Sequence, residues 1–120
     1  MNEFTFIKPD PTLKNNLMAF GWECDFGWYP LIKELFEKIQ LLVDANPDYK
    51  DFEVLQVKEK LGELRVYCSC YPEDIDKLID EYVDKSCITC EICGGNGKIR
   101  EKAKGHWLKT LCDICHLTDW

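Results

Sequence analysis

The chain of 120 residues contains only two histidines and two methionines, and it has no long hydrophobic run. Its most apolar stretch, Ile39 to Val43, is interrupted by Gln40. A membrane span needs ~18 apolar residues, so we expect none here. The first residues include neither a basic segment nor an apolar segment, and we therefore expect no secretory signal and a cytoplasmic location.

The composition is that of a folded globular protein, with 46% hydrophobic and 31% charged residues. This apolar fraction is high enough to offset the chain entropy lost on folding, which argues against wholesale disorder. Because the chain is shorter than the ~150 residues of a common domain, we expect one core with at most a small appendage. Two features are unusual: eight cysteines and a net charge of −7.

Four of the cysteines form two C-x2-C pairs near the carboxyl terminus. Cys90 and Cys93 make the first pair, Cys112 and Cys115 make the second, and eighteen residues separate the pairs. This spacing is typical of a structural zinc site, because two intervening residues let a tight turn direct both sulfurs at one ion. Gly94 lets the chain leave the first turn with positive φ. The sequence therefore predicts one structural Zn²⁺ held by four thiolates, with no open position for a substrate.

Two further residues compete for ligand positions. Cys87 and Cys90 also form a C-x2-C pair, and His116 lies beside Cys115. We favour the pairing of Cys90 with Cys93 because a glycine follows Cys93 and none follows Cys90. A disulfide framework is the other interpretation of eight cysteines, but a reducing cytosol keeps thiols reduced.

Hydrophobic periodicity predicts an α+β fold, in which about three helices pack on a small antiparallel sheet formed by a β-hairpin. Each predicted helix has a proline in its first turn, where the missing N–H costs nothing. The helices are predicted to begin at Asp10–Pro11, at Pro30 and at Pro72. The hairpin is predicted over residues 52–58 and 64–70.

The chain is predicted to divide into a body and a zinc ribbon. The body comprises residues 1–86, and the ribbon comprises residues 87–120 with strands at 98–100 and 106–109. No linker rich in glycine or serine separates the two parts. We therefore expect the ribbon to pack against the body.

The two parts differ in charge. The body holds 10 basic and 18 acidic residues, a balance of −8, whereas the ribbon holds 5 and 4, a balance of +1. A nucleic-acid-binding or transcription-modulating ribbon is one hypothesis, since cations on its hairpin could contact phosphates while a tryptophan stacks on a base. Against it, a tetrathiolate zinc centre has a net charge of about −2, and the acidic body repels a polyanion. The residues of this hypothesis are Lys98, Arg100, Lys102, Lys104 and Trp107.

The acidic body favours a basic protein partner instead. A negative face steers association with a positively charged surface, such as a nucleic-acid channel. The loop from Trp22 to Tyr29 is rich in aromatic residues, and we predict that it takes part in the contact together with the acidic helix faces. The predicted contact residues of this loop are Trp22, Glu23, Asp25, Trp28 and Tyr29.

The sequence offers little support for catalysis. Both histidines lie in the ribbon, so the body lacks the commonest general base. The run from Gly94 to Lys98 fails as a phosphate loop, because an isoleucine stands where Ser or Thr should hold magnesium. Glu23 and Asp25 form the one carboxylate pair in an aromatic setting, but loop carboxylates are usually only solvated. The sequence predicts a protein that is not an enzyme.

Three segments carry a shared pattern: GWYPLI at Gly27–Ile32, QVKEKLGELRVY at Gln56–Tyr67, and the paired C-x2-C motifs. Together they resemble a group of small uncharacterised proteins encoded by tailed phages and prophages, over most of the chain from Trp22 to His116. Leu61 and Glu63 differ from the Phe and Gly typical of that group. The resemblance implies a phage accessory protein in the bacterial host cytoplasm. By analogy with anti-CRISPR proteins, it suggests a non-enzymatic inhibitor that binds a nucleic-acid-handling host defence complex.

Overall fold

The computed structural model describes residues 4–102 and 107–118 and has an α+β architecture. Two α-helices pack with a three-stranded sheet, and a separate two-stranded sheet lies nearer the carboxyl terminus. The α+β class predicted from periodicity is confirmed. Within the described residues, no helix combines the length and the apolar character needed to cross a membrane.

Helix α1, Tyr29–Ala45, has Pro30 in its first turn, as the sequence predicts. Four of its apolar residues recur at the helical period and share one face, where they are fully buried, whereas Leu41 is 71% exposed. The chain leaves the helix at Asn46, whose side chain accepts a hydrogen bond of 3.0 Å from the N–H of Asp48. The buried residues of α1 are Ile32, Leu35, Phe36 and Ile39.

Helix α2, Glu73–Ser86, carries three carboxylates in its first turn and Lys85 in its last. Both placements complement the helix dipole. Tyr82 lies on the buried face, and its hydroxyl donates a hydrogen bond of 2.7 Å to Glu34 on α1. The two predicted helices beginning near Pro30 and Pro72 are thus confirmed, and they pack on each other.

Strands β2, Val54–Lys60, and β3, Glu63–Cys68, form the predicted hairpin. Leu61 and Gly62 make its turn, with φ angles of 56° and 81°. Two positive φ angles in succession match the turn to the right-handed twist of the strands. Leucine is an uncommon residue in this left-handed region, where Asn or Gly is usual.

The body sheet also contains a short strand that the sequence analysis missed. Strand β1, Trp22–Glu23, pairs with β2 in parallel, with Trp22 opposite Val57. The sheet is therefore mixed, which corrects the expectation of a purely antiparallel sheet. A strand of two residues is too short to show an alternation of apolar and polar side chains in the sequence. Burial of the Trp22 ring, whose centroid lies 5.7 Å from that of Phe36, holds the strand in place.

The predicted helix at Asp10–Pro11 does not form, so the described residues contain two α-helices and not three. The Asp10 carboxylate accepts hydrogen bonds of 2.9 Å from the N–H groups of Thr12 and Asn15 and closes a loop. Hydrogen bonds from Thr12 and Asn15 lower the pKa of Asp10 to about 2. Leu13 takes a positive φ of 61°, which interrupts helical backbone. An aspartate carboxylate accepts hydrogen bonds from nearby backbone N–H groups both when it caps a helix and when it closes a turn. At Asp10 these bonds close a turn.

Candidate metal centre

The first C-x2-C pair forms a tight turn shortly after α2. The N–H of Gly94 donates to the carbonyl of Cys90 at 2.9 Å, and the N–H of Cys90 donates to the carbonyl of Gly95 at 2.7 Å. Backbone N–H groups also approach sulfur: the distance is 3.5 Å from Cys93 N to Cys90 Sγ and 3.4 Å from Gly95 N to Cys93 Sγ. Gly94 has a φ of 81°, as its predicted role requires.

The second pair follows the ribbon hairpin. Strands β4, Lys98–Glu101, and β5, Leu108–Leu111, pair antiparallel and return the chain to the first pair. The N–H of Cys115 approaches Cys112 Sγ at 3.3 Å, which repeats the N–H to sulfur contact of the first pair. Two successive turns therefore present their sulfurs in the same way.

The four sulfurs form one cluster. All four Sγ atoms lie within 4.8 Å of one another, and those of Cys93 and Cys112 are 3.7 Å apart. A tetrahedral zinc ion with Zn–S bonds of ~2.3 Å requires sulfur–sulfur distances of about 3.8 Å. The cysteines are free thiols and form no disulfide. The structure thus brings together Cys90, Cys93, Cys112 and Cys115, the four predicted ligands, in an arrangement that could hold one metal ion.

The four thiols differ in acidity. Burial raises the pKa of Cys90, but hydrogen bonds from backbone N–H groups outweigh burial and lower it to about 6. The N–H of Cys115 likewise lowers the pKa of Cys112. A hydrogen bond with the Cys112 sulfur raises the pKa of Cys115 to about 12. Four thiolates at this spacing repel one another, so all four ionise only when a cation is bound among them.

Neither competing residue belongs to the cluster formed by the described part of the chain. The Sγ atom of Cys87 lies 3.8 Å from a carboxylate oxygen of Glu63. Burial, and then that carboxylate, raises the pKa of Cys87, which disfavours the thiolate a metal requires. His116 contributes its backbone N–H to the carbonyl of Cys112 at 3.0 Å.

The first cysteine turn lies directly against the body. The N–H of Gly27 donates to the carbonyl of Glu91 at 2.7 Å, and Trp28 Nε1 donates to the carbonyl of Thr89 at 2.8 Å. A Cβ atom at Gly27 would lie 2.3 Å from the carbonyl oxygen of Cys90 and 2.4 Å from that of Glu91. Only glycine permits this approach of two backbones. The GWYPLI segment therefore holds the metal-binding turn as well as beginning α1.

Charged side chains reinforce this contact. Glu91 is 2% exposed, and its Oε2 accepts a hydrogen bond of 2.9 Å from the N–H of Asp25. The Asp25 carboxylate in turn forms an ion pair of 2.7 Å with Lys109 on β5. Burial raises the pKa of Glu91. A second link joins Thr110 to the β2–β3 turn, since its hydroxyl donates to the carbonyl of Gly62 at 2.6 Å.

Gly27 and Glu91 are the functional residues that sequence reasoning missed. Gly27 was singled out only as part of a shared segment, and nothing in one sequence shows which backbone it will meet. For Glu91, the available signal was its position between two zinc-binding cysteines. A carboxylate there is repelled by the negatively charged thiolates, so a specific partner elsewhere is expected to hold it.

The fold separates the predicted partner-contact residues into two groups. Trp28 is 0% exposed and Trp22 is 7% exposed, so both are core residues. This corrects the prediction that they contact a partner: the Trp22 ring packs against Phe36 of α1, and the Trp28 ring packs against the ribbon backbone at Thr89. The predicted contact residues that retain exposure are Glu23, Asp25 and Tyr29.

The predicted nucleic-acid contacts are also partly engaged within the protein. The Arg100 guanidinium pairs with Asp113, and its Nε donates to the carbonyl of Leu111 at 3.2 Å. Trp107 is 68% exposed. Lys104, together with His106 of the predicted second ribbon strand, lies outside the described residues. The side chains that remain accessible are Lys98, Lys102 and Trp107.

The cysteine environments predict an order of alkylation. Burial raises the pKa of Cys24 and Cys68 to about 12, so at pH 8 only about one thiol in ten thousand is ionised. Cys70 is exposed and lies outside the cluster. In metal-loaded protein we expect iodoacetamide to modify Cys70 first, and to reach the cluster cysteines only after chelation. Peptide mass spectrometry checks the order, and modification of Cys93 as fast as Cys70 before chelation would contradict it.

Comparison with known proteins identifies no relative of this chain. No protein-family model matches it, and neither do the curated proteins or the solved structures that were compared. The resemblance to phage proteins stays a prediction, and the functional conclusion depends on the geometry described above.

Proposed function

We propose that this protein is a zinc-stabilised binding module in which one structural Zn²⁺ fixes the ribbon on the body. The donor set supports zinc, because four thiolates in tetrahedral arrangement select Zn²⁺ or an iron–sulfur centre over oxygen-preferring ions. The N–H groups directed at Cys90, Cys93 and Cys112 sulfur would stabilise thiolates at a bound ion. Elemental analysis distinguishes the two metals.

The centre supports a structural role and a non-enzymatic protein. Four protein ligands complete the tetrahedral shell of Zn²⁺, whereas a catalytic zinc keeps one position for water or substrate. Glu91 is buried, and its Oε2 accepts a hydrogen bond from the N–H of Asp25, which supports a role in the contact between ribbon and body. A metal ion bound here would therefore cross-link the two C-x2-C turns and would have no position for a reacting ligand.

The exposed surface of the ribbon is the observation that carries the proposal of a protein partner. Large apolar side chains are exposed on the ribbon, while two of its cations, on Arg100 and Lys109, are paired with carboxylates. A contiguous exposed apolar patch marks a protein contact site, and we assign one to the ribbon. The exposed apolar side chains are Ile88, Ile92, Ile99, Trp107, Ile114 and Leu117.

The net charge indicates the character of that partner. The body has a balance of −8, and a zinc tetrathiolate adds negative charge to the ribbon, so a basic protein surface is the complementary one. With the resemblance to phage proteins, the proposal extends to a host protein that handles nucleic acid in the bacterial cytoplasm and is inhibited in an anti-CRISPR-like way. Direct nucleic-acid binding is the second candidate, favoured by Trp107, which is 68% exposed and available to stack on a base.

Salt titration separates the two candidates. We expect zinc-loaded protein to show no measurable affinity for single-stranded or duplex oligonucleotides near physiological salt, as read by fluorescence anisotropy. Direct phosphate contact would instead give log affinity falling steeply with log salt. Charge reversal at Lys98 and Lys102 is the matched control, since it removes oligonucleotide binding only under the second candidate. A partner captured from nuclease-treated host lysate must then bind again as a purified protein.

A further inference from the structure

A groove of about 540 Å³ lies between the first turns of α1 and the first cysteine turn. We propose that this groove, hereafter the knuckle groove, binds a peptide segment of the partner that carries an apolar side chain flanked by lysine or arginine. The proposal deepens the proposed function, on which it rests, by naming the surface and the chemistry that it recognises. The residues that form the groove wall include Phe26, Pro30, Leu31, Glu34, Ile92 and Cys93.

The groove walls combine exposed apolar side chains with polar groups. Phe26 is 76% exposed and Ile92 is 38% exposed, and Glu34 and Thr89 lie in the same lining. The Phe26 ring lies edge-on to Tyr29 with centroids 4.9 Å apart, which holds it at the mouth of the groove. The volume falls within the ~300–1,000 Å³ typical of binding pockets. A groove of this volume has room for one large apolar side chain.

The described lining of the groove contains one carboxylate, that of Glu34. Glu34 contributes a half-exposed carboxylate, bonded to Tyr82 and paired with Lys38 at 3.5 Å. Cys93 contributes an exposed sulfur, which would belong to a group with a net charge of about −2 if Zn²⁺ were bound by four thiolates. The amino end of α1 adds only about half a positive charge. No lysine or arginine is among the described residues that line the groove, so a cationic side chain is the complementary one.

The groove is already formed before any partner binds. Gly27 and Gly94 lie on its floor, and a Cβ at Gly94 would be 3.1 Å from the Gly27 carbonyl oxygen. This close backbone contact fixes the distance between the two walls. A preformed site loses little conformational entropy on binding, which favours recognition of a short peptide.

The two cysteine turns provide a matched pair of variants. Ile92 and Ile114 occupy the same position in their C-x2-C motifs, and both are exposed. Of these two residues, Ile92 lines the groove and Ile114 does not. The probe is a randomised peptide library displayed on phage and selected against the intact zinc-loaded protein. We expect enriched peptides with one aromatic or aliphatic side chain between lysines or arginines. Ile92→Asp should weaken the best synthetic peptide by about tenfold or more, and Ile114→Asp by less than about twofold.

Zinc content is measured for every variant, so loss of the metal centre is distinguished from loss of the groove. Glu34→Lys should weaken binding without changing zinc content, because it reverses the charge of one wall. Equal weakening by Ile92→Asp and Ile114→Asp at full zinc content would overturn the proposal. Enrichment of acidic peptides, the absence of any enriched peptide, or displacement of the peptide by a single-stranded oligonucleotide would also overturn it.

Discussion

Cys112→Ser is expected to unfold the ribbon and to leave the body folded. Only one large apolar side chain of the described ribbon residues, Leu111, is fully buried, so the ribbon has almost no hydrophobic core of its own. Structural zinc contributes about 10–16 kcal/mol in small zinc modules, far more than one leucine side chain. A serine hydroxyl does not replace a thiolate ligand, and removal of one ligand leaves three thiolates around an incomplete shell.

Hydrogen exchange measures this outcome segment by segment. The amides of β4 and β5 should lose their protection in the variant, and the same loss should follow chelation of the wild-type protein. The amides of α1 and β2 should stay protected. Cys70→Ser is the matched control, because Cys70 is exposed and lies outside the cluster. Unchanged protection of the ribbon strands in Cys112→Ser would show that zinc is not what holds the ribbon together.

Gly27→Ala is expected to separate the ribbon from the body while the metal ligands stay intact. The added methyl would lie 2.3 Å from the carbonyl oxygen of Cys90, a backbone atom that cannot move aside without shifting the cysteine turn. Overpacking of this kind costs about 1–3 kcal/mol. The shift also weakens the hydrogen bonds from Gly27 to Glu91 and from Trp28 to Thr89.

Urea unfolding monitored by tryptophan fluorescence checks this prediction, because Trp28 lies at the contact. The midpoint should fall, while zinc content stays at one ion per chain. Gly95→Ala is the control: its Cβ would meet only Cys93 Sγ, at 3.5 Å, which is ordinary contact. If both alanine variants unfold at the wild-type midpoint, the backbone approach at Gly27 does not stabilise the protein.

The parts of the fold that were predictable have a local signal. Helices α1 and α2 show the helical period over several turns, strand β3 shows alternation after Gly62, and the cysteine spacing encodes one tight turn at each pair. The candidate site could therefore be assembled from sequence down to its four sulfurs. The choice between Cys87 and Cys93 depended on Gly94, whose positive φ the structure shows.

The parts that were missed depend on contacts distant in sequence. Asp10 stands before a proline as a helix cap would, but its carboxylate closes a loop instead. Trp22 and Trp28 were predicted to contact a partner because their loop is rich in aromatic residues. Their burial depends instead on helix α1 and, for Trp28, on a backbone segment 61 residues away. The charged side chains at the contact between ribbon and body, Glu91, Asp25 and Lys109, likewise come from three separate segments of the chain.

Metal analysis of the purified protein tests the central claim most directly. Native mass spectrometry with elemental analysis should find one zinc ion per chain, and X-ray absorption should show four sulfur neighbours at ~2.3 Å. Protein that folds with no stoichiometric metal would contradict the account. So would disulfide bonds among Cys90, Cys93, Cys112 and Cys115, or a coordination shell that contains nitrogen or oxygen in place of sulfur.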